Sequence, residues 1–350
     1  MAGAPGTLSK AAIIKGATWG TLAALTTNHR LPIKSATVDQ RVEHVPNDIV
    51  SGYAERQASF LGNKRIEGSV VLVGDYRQGN LMDAIFLGED GTPATVDISA
   101  YLHTMLWQPS PVGKFLSLGL DRGGAVVREF HSVKPTRRLV VSAAGGYLES
   151  TFDFVGRGIT KGGSSSGWTY RYSPVNGGSK LILHRHGTWR FNAQSGGALG
   201  AGDKVYPVRF ELEATRGLSP DWAQAGEMEE PLPGDFAEIV LRMTFYALDS
   251  TLATLFRDAY DANTLLKGDV VFVDTSGLLG STTAYRQRAY YFPKLVVTEC
   301  PEEIPGPGVV PFRVAMTAHA VDTAPTGFAA AHITALAEEQ QTDYASDYLA

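Results

Sequence analysis

Val70-Val71-Leu72-Val73, followed by residues 79–87, has the pattern of an apolar strand that leads into a short helix. The chain repeats this pattern as Ile239-Val240-Leu241 followed by residues 250–260. The repeat predicts two copies of one supersecondary unit within the chain.

Further landmarks occur in the same order in both parts of the chain. A glycine-tryptophan segment, Gly16-Ala17-Thr18-Trp19, has a counterpart in Gly187-Thr188-Trp189. A proline-led strand follows each, at Leu31-Pro32-Ile33 and at Tyr206-Pro207-Val208. The loops between landmarks differ in length while the order holds, which is typical of a duplicated unit.

Alternating polar and apolar residues predict sheets with one face on a core and one face in water. Leu148-Glu149-Ser150-Thr151-Phe152-Asp153-Phe154 alternates in this way. Apolar side chains four residues apart, such as Leu81 and Ile85 or Leu252 and Phe256, predict one short helix over each sheet. The expected fold is mainly β, with two tandem β-sandwich or half-barrel modules that each carry one short flanking helix.

The expected domain boundaries follow from composition. The first module covers residues 1–160 and the second covers residues 180–328. A Gly- and Ser-rich linker at 161–179 separates them. A C-terminal tail at 329–350 is predicted either to fray or to be ordered by a neighbour.

Composition excludes several classes of protein. The 350 residues are 44% hydrophobic and carry a net charge of −5, which does not favour nonspecific nucleic-acid or membrane binding. Cys300 is the sole cysteine, so no internal disulfide forms and a reducing compartment is expected. No apolar run has the length of a membrane span, and the N-terminus lacks the order of a signal peptide. Synthesis in the cytoplasm is therefore expected.

Two long polar segments, 44–65 and 215–235, are predicted to be loops that make contacts. Each combines charges with apolar anchors. The apolar anchors of these loops, which are the candidates for ring-stacking contacts if the chain forms rings, are Tyr53, Phe60, Leu61, Trp222 and Met228.

The residues do not favour a catalytic, cofactor or metal site. His184-Arg185-His186 places two histidines on one face of a possible strand, but no third metal ligand is suggested nearby. Cys300 is read as a buried thiol, because a catalytic thiol needs a histidine partner. The loop carboxylates Glu227, Glu229 and Glu230 are read as solvated. The chain is predicted not to be an enzyme.

Three segments resemble the major tail tube proteins of long-tailed, siphovirus-type bacteriophages. They are Ile14-Lys15-Gly16-Ala17-Thr18-Trp19-Gly20-Thr21, the strand-turn-helix segment 68–88, and Lys134-Pro135 with Leu139-Val140-Val141-Ser142. The resemblance spans nearly the whole chain, because the second half repeats the pattern. The second half departs from it at Leu248-Asp249-Ser250, where the first has Tyr76-Arg77-Gln78.

The resemblance implies a virion protein whose rings stack into a tube around a lumen that passes DNA without binding it specifically. Sheets of neighbouring copies would join into a closed β-barrel, which removes unpaired edges. A chain with two modules would form a pseudo-hexameric ring as a homotrimer, and a hexamer would follow if only one module faced the lumen. Implied partners are the tape-measure protein and the tail terminator or baseplate proteins.

A lumen that passes DNA is expected to present neutral or acidic groups, because Lys and Arg bind phosphates. The predicted lumen-facing residues lie on the polar sides of alternating strands. They are Asp39, Glu43, Glu149, Asp153, Glu211 and Glu213.

Three alternatives remain open from the residues. Another tail ring component, such as a terminator or a baseplate ring, would form one ring and stop. A tandem β-sandwich adhesin would need an exposed aromatic cluster, for which Trp168, Tyr170, Tyr172 and Trp189 are the candidates. An enzyme would need a pocket that brings His184 and His186 together with carboxylates and a metal.

Overall fold

The computed structural model describes residues 8–47, 57–88, 91–124, 126–171, 180–219, 223–224, 226–279, 283–301 and 310–349. Strands make up 53% of the chain and helices 9%, which confirms a mainly β protein. The strands up to residue 171 are β1 (Lys10–Lys15), β2 (Arg30–Leu31), β3 (Ile33–Ala36), β4 (Asp39–Asn47), β5 (Gln57–Val73), β6 (Ala94–Asp97), β7 (Ala100–Leu106), β8 (Leu116–Asp121), β9 (Val127–Ala143) and β10 (Glu149–Lys161).

The strands from residue 180 onward begin with short ones and end with four long ones. They are β11 (Gly187–Ala193), β12 (Lys204–Val205), β13 (Arg209–Thr215), β14 (Leu218–Ser219), β15 (Ala223–Gln224), β16 (Glu227–Met228), β17 (Leu232–Pro233), β18 (Glu238–Phe245), β19 (Leu266–Leu278), β20 (Tyr285–Glu299), β21 (Phe312–His319) and β22 (Ala337–Thr342). We call residues 8–171 the first half and residues 180–349 the second half.

The strands of the two halves pair in the same order. In the first half the order is β2, β1, β8, β9, β10 and β5, with β3 and β4 beside β5. In the second half it is β12, β11, β19, β20, β21, β18 and β13. All of these pairings are antiparallel, so hairpins and short connections suffice to join them.

One sheet runs through both halves, because β13 pairs with β18 on one side and with β9 on the other. We call it the spanning sheet, and its strands in spatial order are β3 with β4, β5, β10, β9, β13, β18, β21 and β20. Its two ends do not meet within the described chain, so the single chain contains no closed barrel.

The two halves share one hydrophobic core. A single cluster of buried side chains includes Phe86 and Phe152 of the first half and Phe210, Phe272 and Tyr290 of the second. The Phe210 ring lies 6.5 Å from the rings of both Phe272 and Tyr290, at distances typical of aromatic pairs. The apolar face of the spanning sheet therefore packs continuously across the boundary between the halves.

In each half an α-helical segment packs against this core. Helix α1 (Asn80–Leu87) ends at Gly88, whose φ of 88° is the left-handed conformation that closes many helices. The second segment consists of α2 (Ser250–Leu252), a π-helical turn (Ala253–Arg257) and α3 (Asp258–Asp261), and the Asp249 side chain caps its start. Ile85, Leu252 and Phe256 are buried as predicted, whereas Leu81 is only partly buried.

The described parts of segment 44–65, residues 44–47 and 57–65, form strands and not the loop that the sequence predicted, and residues 48–56 lie outside the described residues. Residues 39–47 of β4 pair with residues 57–67 of β5 to form a two-stranded ribbon, which we call the ribbon. Gly68 stands where the ribbon joins the sheet, and a Cβ there would lie 2.6 Å from the Cα of Val38. Segment 215–235 likewise contains the short strands β14 to β17. The ribbon could not be predicted from the sequence, because polar and apolar residues alternate only weakly along this part of β4 and β5.

The C-terminal segment folds against its own chain. Strand β22 lies between β20 of the second half and β7 of the first. Tyr348 stacks on His103 with ring centres 4.2 Å apart, and Asn80 donates a 2.7 Å hydrogen bond to the Tyr348 hydroxyl. Strand β22 and Tyr348 of the tail thus make contacts with both halves of their own chain.

Candidate assembly surface

The polar face of the spanning sheet, opposite the shared core, carries side chains in rows that cross the strands. One row runs through Val73, Glu149, Val141, Glu211, Arg242, Ala315 and Glu299. These residues come from both halves and lie side by side because each is the register partner of the next, with a β-bulge between Val297 and Glu299 at the end of the row. The row therefore continues across the β9–β13 junction without a break.

Most of the predicted lumen residues lie on this face in ion pairs. Lys34 contacts Glu149 at 2.6 Å, and Arg209 contacts Glu211 at 2.5 Å. At the ribbon's base Arg128 contacts Asp39 at 2.5 Å. Glu43 is exposed on the ribbon itself.

Arg137 links the two halves on the same face. It contacts Asp153 of its neighbouring strand at 3.0 Å and Glu213 across the junction at 2.6 Å. Arg242 adds a 2.7 Å contact to Glu213. Burial alone would raise the pKa of Glu213, but the hydrogen bonds from Arg242 and Arg137 hold it below its ordinary value.

The positive charges of these Lys and Arg side chains therefore nearly cancel the negative charges of the carboxylates that they contact on the polar face. Sequence reasoning found the carboxylates but missed the basic partners Lys34, Arg137, Arg209 and Arg242. Those partners sit at alternating positions of adjacent strands, so the signal was present, but strand register is needed to read it.

The ribbon exposes apolar side chains. Phe60 is 62% exposed and Leu61 68%, and Val45 opposite Phe60 is 47% exposed. Single exposed apolar residues are common, but Phe60 and Val45 face each other across the strands and form a small patch that another surface could cover, while Leu61 is exposed on the opposite side of the ribbon. This patch is the part of the predicted contact region that the structure describes on the ribbon.

The other predicted anchors differ from Phe60 and Leu61. Met228 is buried within the chain, and its carbonyl accepts a 3.2 Å hydrogen bond from the Trp19 indole. Tyr53 and Trp222 lie outside the described residues. Strand β16 meets the ribbon at one parallel bridge between Glu227 and Lys64.

A buried ionic cluster joins the two halves and the C-terminal segment. It consists of Arg138 on β9, Arg288 on β20, Asp83 on α1 and Glu338 on β22, each at most 4% exposed. Arg138 contacts Asp83 at 2.8 Å and Glu338 at 2.6 Å, and Arg288 contacts Asp83 at 3.2 Å. Two positive and two negative charges thus compensate each other where water is excluded.

The two carboxylates of the cluster respond differently to this environment. Burial raises the pKa of Asp83 to about 6, even though Arg138 acts against the shift. Burial also disfavours ionised Glu338, but Arg138 and Arg288 hold the pKa of Glu338 below its ordinary value. Glu338 is therefore the firmly ionised partner of the cluster.

A separate buried arginine fixes the end of α1. Arg216 follows β13 and donates hydrogen bonds to the carbonyls of Phe86, Leu87 and Gln108. Its guanidinium lies 3.8 Å from the Trp107 ring centre. Burial lowers the pKa of Arg216 to about 9, so it stays charged at neutral pH and complements the negative end of the helix dipole.

The histidine named as a catalytic candidate contacts its own chain. His184 lies in a 3-10 turn (His184–His186) and not in the predicted strand; its Nδ1 lies 2.9 Å from the Ser142 hydroxyl and its Nε2 3.0 Å from the Pro207 carbonyl. Burial lowers the pKa of His184. No group of three or more His, Cys, Asp or Glu side chains in the described residues could hold a metal ion.

The remaining candidates also contact their own chain. Glu227 and Glu229 face Arg157 at 2.8 and 3.8 Å, and Glu230 contacts the buried Lys134 at 2.5 Å. Cys300 is buried, as predicted. Trp168 and Trp189 are 3% and 4% exposed, which contradicts the exposed aromatic cluster that an adhesin would need. Tyr172 lies outside the described residues.

Comparison with known families agrees with a role for this sheet in assembly. A family model described as "Phage tail tube protein" matches residues 6–328. The chain belongs to this family. No curated protein matches the chain.

Membership directs attention to the surfaces through which this tail tube protein can assemble, among them the sheet and the ribbon. The family is structural, its members assemble with copies of themselves into a tube, and the tube is part of the virion. The match includes the whole spanning sheet and ends before β22. No helix in the described parts of the chain is long and apolar enough to cross a membrane.

Proposed function

We propose that three copies of this chain form a ring, that the rings stack into the tail tube of a siphovirus-type phage, and that DNA passes through its lumen during ejection. The observation that carries the proposal is the spanning sheet, which already joins two halves of like strand order within one chain. Repeating the same lateral step between chains closes a barrel. If the halves are two copies of one module, three chains supply six modules.

The dimensions suit a conduit. Eight strand positions per chain give about 24 for a trimer, at a spacing of about 4.8 Å between strands. With a strand tilt of about 40°, the barrel would be about 50 Å in diameter before side chains are added. A barrel of that size encloses a channel rather than a packed core.

The polar face would line this channel, since the opposite face is occupied by the shared core. Its carboxylates are largely paired with Lys and Arg, so the lining is proposed to be near neutral rather than strongly acidic. A near-neutral lining offers few free cations to neutralise DNA phosphates, and DNA can then slide without being held.

Electron microscopy and native mass spectrometry of the purified protein test the assembly. We expect tubes of stacked rings with pseudo-six-fold symmetry and a ring mass of three chains. Six chains per ring would replace the trimer with the hexamer, and single rings that never stack would favour a terminator or baseplate component. Protein that remains monomeric under all assembly conditions would reject the proposal.

Charge reversal tests the lining. Glu149→Lys with Glu211→Lys should leave tubes intact but make them retain DNA, with a salt-dependent affinity. Asp258→Lys with Asp261→Lys, at two exposed positions of α3 away from the polar face, makes the same change in charge and is the matched control that should not retain DNA. Equal DNA retention by both variants would contradict the assignment of the polar face to the lumen.

We also propose that the ribbon makes contacts between stacked rings, because it carries the exposed Phe60 and Leu61. Phe60→Ser with Leu61→Ser should then yield rings that do not elongate into tubes. Ile98→Ser, a change at a residue that is 77% exposed elsewhere, is the control and should elongate normally. Normal tubes from the ribbon variant would remove the ribbon from the stacking contact.

A further inference from the structure

Two strands pair one after the other with the same edge of β9. Residues 128–141 of β9 pair with β10 on one edge. On the other edge, residues 127–133 pair with β8 and residues 137–143 pair with β13 of the second half. The junction between the halves is therefore a seven-residue antiparallel ladder on the far part of that edge.

Strand β20 pairs with its neighbours as β9 does, except that part of one edge has no strand partner within the described residues. One of its edges pairs with β22 and β21, and the opposite edge pairs with β19 from residue 285 to residue 295. On that opposite edge, residues 296–299 have no strand partner within the described residues. The open edge of β20 corresponds in position to the part of β9 that holds β13.

Strand β3 supplies the matching open edge at the other end of the sheet. It lies beside β5 as β13 lies beside β18, and it pairs with β5 alone within the described residues. The residues that continue from it alternate as β13 does: Val38 is fully buried, as Ala214 is. An unpaired strand edge is a ready template for another chain.

Two core residues set the register between these edges. Phe152 pairs with Val70 and Met316 pairs with Leu241, and both Phe152 and Met316 are fully buried. Phe152 in the first half thus corresponds to Met316 in the second.

Counting back one residue identifies the facing positions. Thr151, before Phe152, pairs with Leu139, and Ala315, before Met316, pairs with Glu299, so Glu299 takes the place of Leu139. Val70 and Leu241 also correspond to each other, so Ser69, which precedes Val70, corresponds to Val240, which precedes Leu241. The Thr37 amide donates to the Ser69 carbonyl, and Glu213 pairs with Val240, so Thr37 takes the place of Glu213.

We propose that residues 37–39, which continue from β3, pair antiparallel with residues 296–299 of β20 in a second copy, with Thr37 opposite Glu299 and Val38 opposite Val297. Leu139 and Glu213, which face each other inside one chain, are the template for this contact. The inference rests on the proposed ring, and it specifies which edges close it. Each copy then donates one edge and accepts one, so the contact is head-to-tail and repeats until the ring closes.

Disulfide trapping in assembled tubes tests the register. Thr37→Cys and Glu299→Cys are combined with Cys300→Ala, which removes the native thiol beside position 299. Facing residues on paired strands lie within the range that a disulfide spans. We expect oxidised tubes to give dimers and trimers joined by disulfides on a non-reducing gel.

Matched pairs control the trapping. Leu139→Cys with Glu213→Cys, also with Cys300→Ala, should form its disulfide within one chain and run as a monomer. Ser35→Cys with Glu299→Cys is shifted by two residues on the same face and should trap less efficiently. More efficient trapping by the shifted pair, or monomers alone from tubes of the Thr37 pair, would overturn the proposed contact while leaving the tube intact.

Hydrogen exchange of the unmodified protein provides a second measurement that needs no variant. Within residues 37–39 and 296–299, the amides that face the open edges should exchange at least tenfold more slowly in tubes than in monomers. The β9–β13 junction should be protected in both. Tubes without new protection at these edges would reject the pairing, whereas protein that forms no rings would reject the proposed function together with it.

Discussion

Arginine and carboxylate side chains pair in two regions of this protein, and the surroundings differ. In the buried ionic cluster, Arg138 and Glu338 are 1% and 0% exposed, while on the polar face Arg137 and Glu213 are 35% and 24% exposed. A buried charge that loses its partner remains in a medium of low dielectric, whereas a charge on the sheet face regains water. The same chemistry therefore locks the halves together in one region and adjusts the charge of a surface in the other.

The largest effect is expected from Glu338→Gln. The change leaves Arg138 and Arg288 with a single carboxylate whose pKa is already raised, so one positive charge is buried without compensation. The free energy of unfolding of the monomer should fall by about 3–5 kcal/mol. Urea denaturation measures it, and Glu339→Gln in the same strand is the control, expected to cost clearly less.

A double variant shows whether the unpaired charge is the cause. Arg138→Met with Glu338→Leu removes one charge of each sign and leaves Arg288 with Asp83. It should be less destabilised than the sum of the two single variants. Additive losses would mean that packing, and not charge compensation, sets the cost.

Arg216 separates burial from ion pairing, because its partners in the structure are carbonyls and an aromatic ring. Arg216→Met should lower the free energy of unfolding by about 2–3 kcal/mol, since the carbonyls of Phe86 and Leu87 at the end of α1 and of Gln108 after β7 lose a charged donor. Arg216→Lys retains the charge without the planar fork and should lie between the two. A loss below about 1 kcal/mol for Arg216→Met would show that water replaces the guanidinium readily.

The cluster also predicts a pH dependence with a definite sign. The pKa of Asp83 is raised from 3.8 to about 6 in the folded protein, so its contribution is full below its ordinary pKa and is lost as pH rises through 6. Relative to Asp83→Asn, the wild-type protein should lose stability between about pH 4 and pH 6, by at most about 1.4 kcal/mol per pH unit. Denaturation curves at several pH values measure this difference, and a constant difference would contradict it.

Local patterns predicted much of the fold. Alternation located the faces of β10 and β13, and the apolar spacing of Ile85, Leu252 and Phe256 located the buried sides of the helices. Those signals lie within a few residues of each other, so they can be read without knowing which strands pair.

Residues distant in sequence escaped prediction. Asp83, Arg138, Arg288 and Glu338 come together only through the pairing of β9, β20 and β22 with α1 nearby, and no local pattern marks a charged residue as buried. The tryptophan landmark shows the same limit: Trp189 lies in β11 opposite Val205, whereas Trp19 follows β1, in which Ala11 holds the place opposite Leu31. Matching residue types between the two halves thus gave the order of the elements, but it aligned tryptophans that do not occupy equivalent positions in their strands.

The smallest effect is expected from Glu213→Gln on the polar face, which matches Glu338→Gln in size and chemistry. Arg137 keeps Asp153 as a partner and Arg242 faces water, so the free energy of unfolding should fall by less than about 1 kcal/mol. The size of this loss should depend little on substitutions at other sites. Added salt should shrink even this loss, because exposed pairs are screened and buried pairs are not. Urea denaturation at low and high salt, run beside Glu338→Gln, measures both. A loss for Glu213→Gln as large as that for Glu338→Gln would mean that the junction between the halves depends on its surface ion pairs as much as on the shared core.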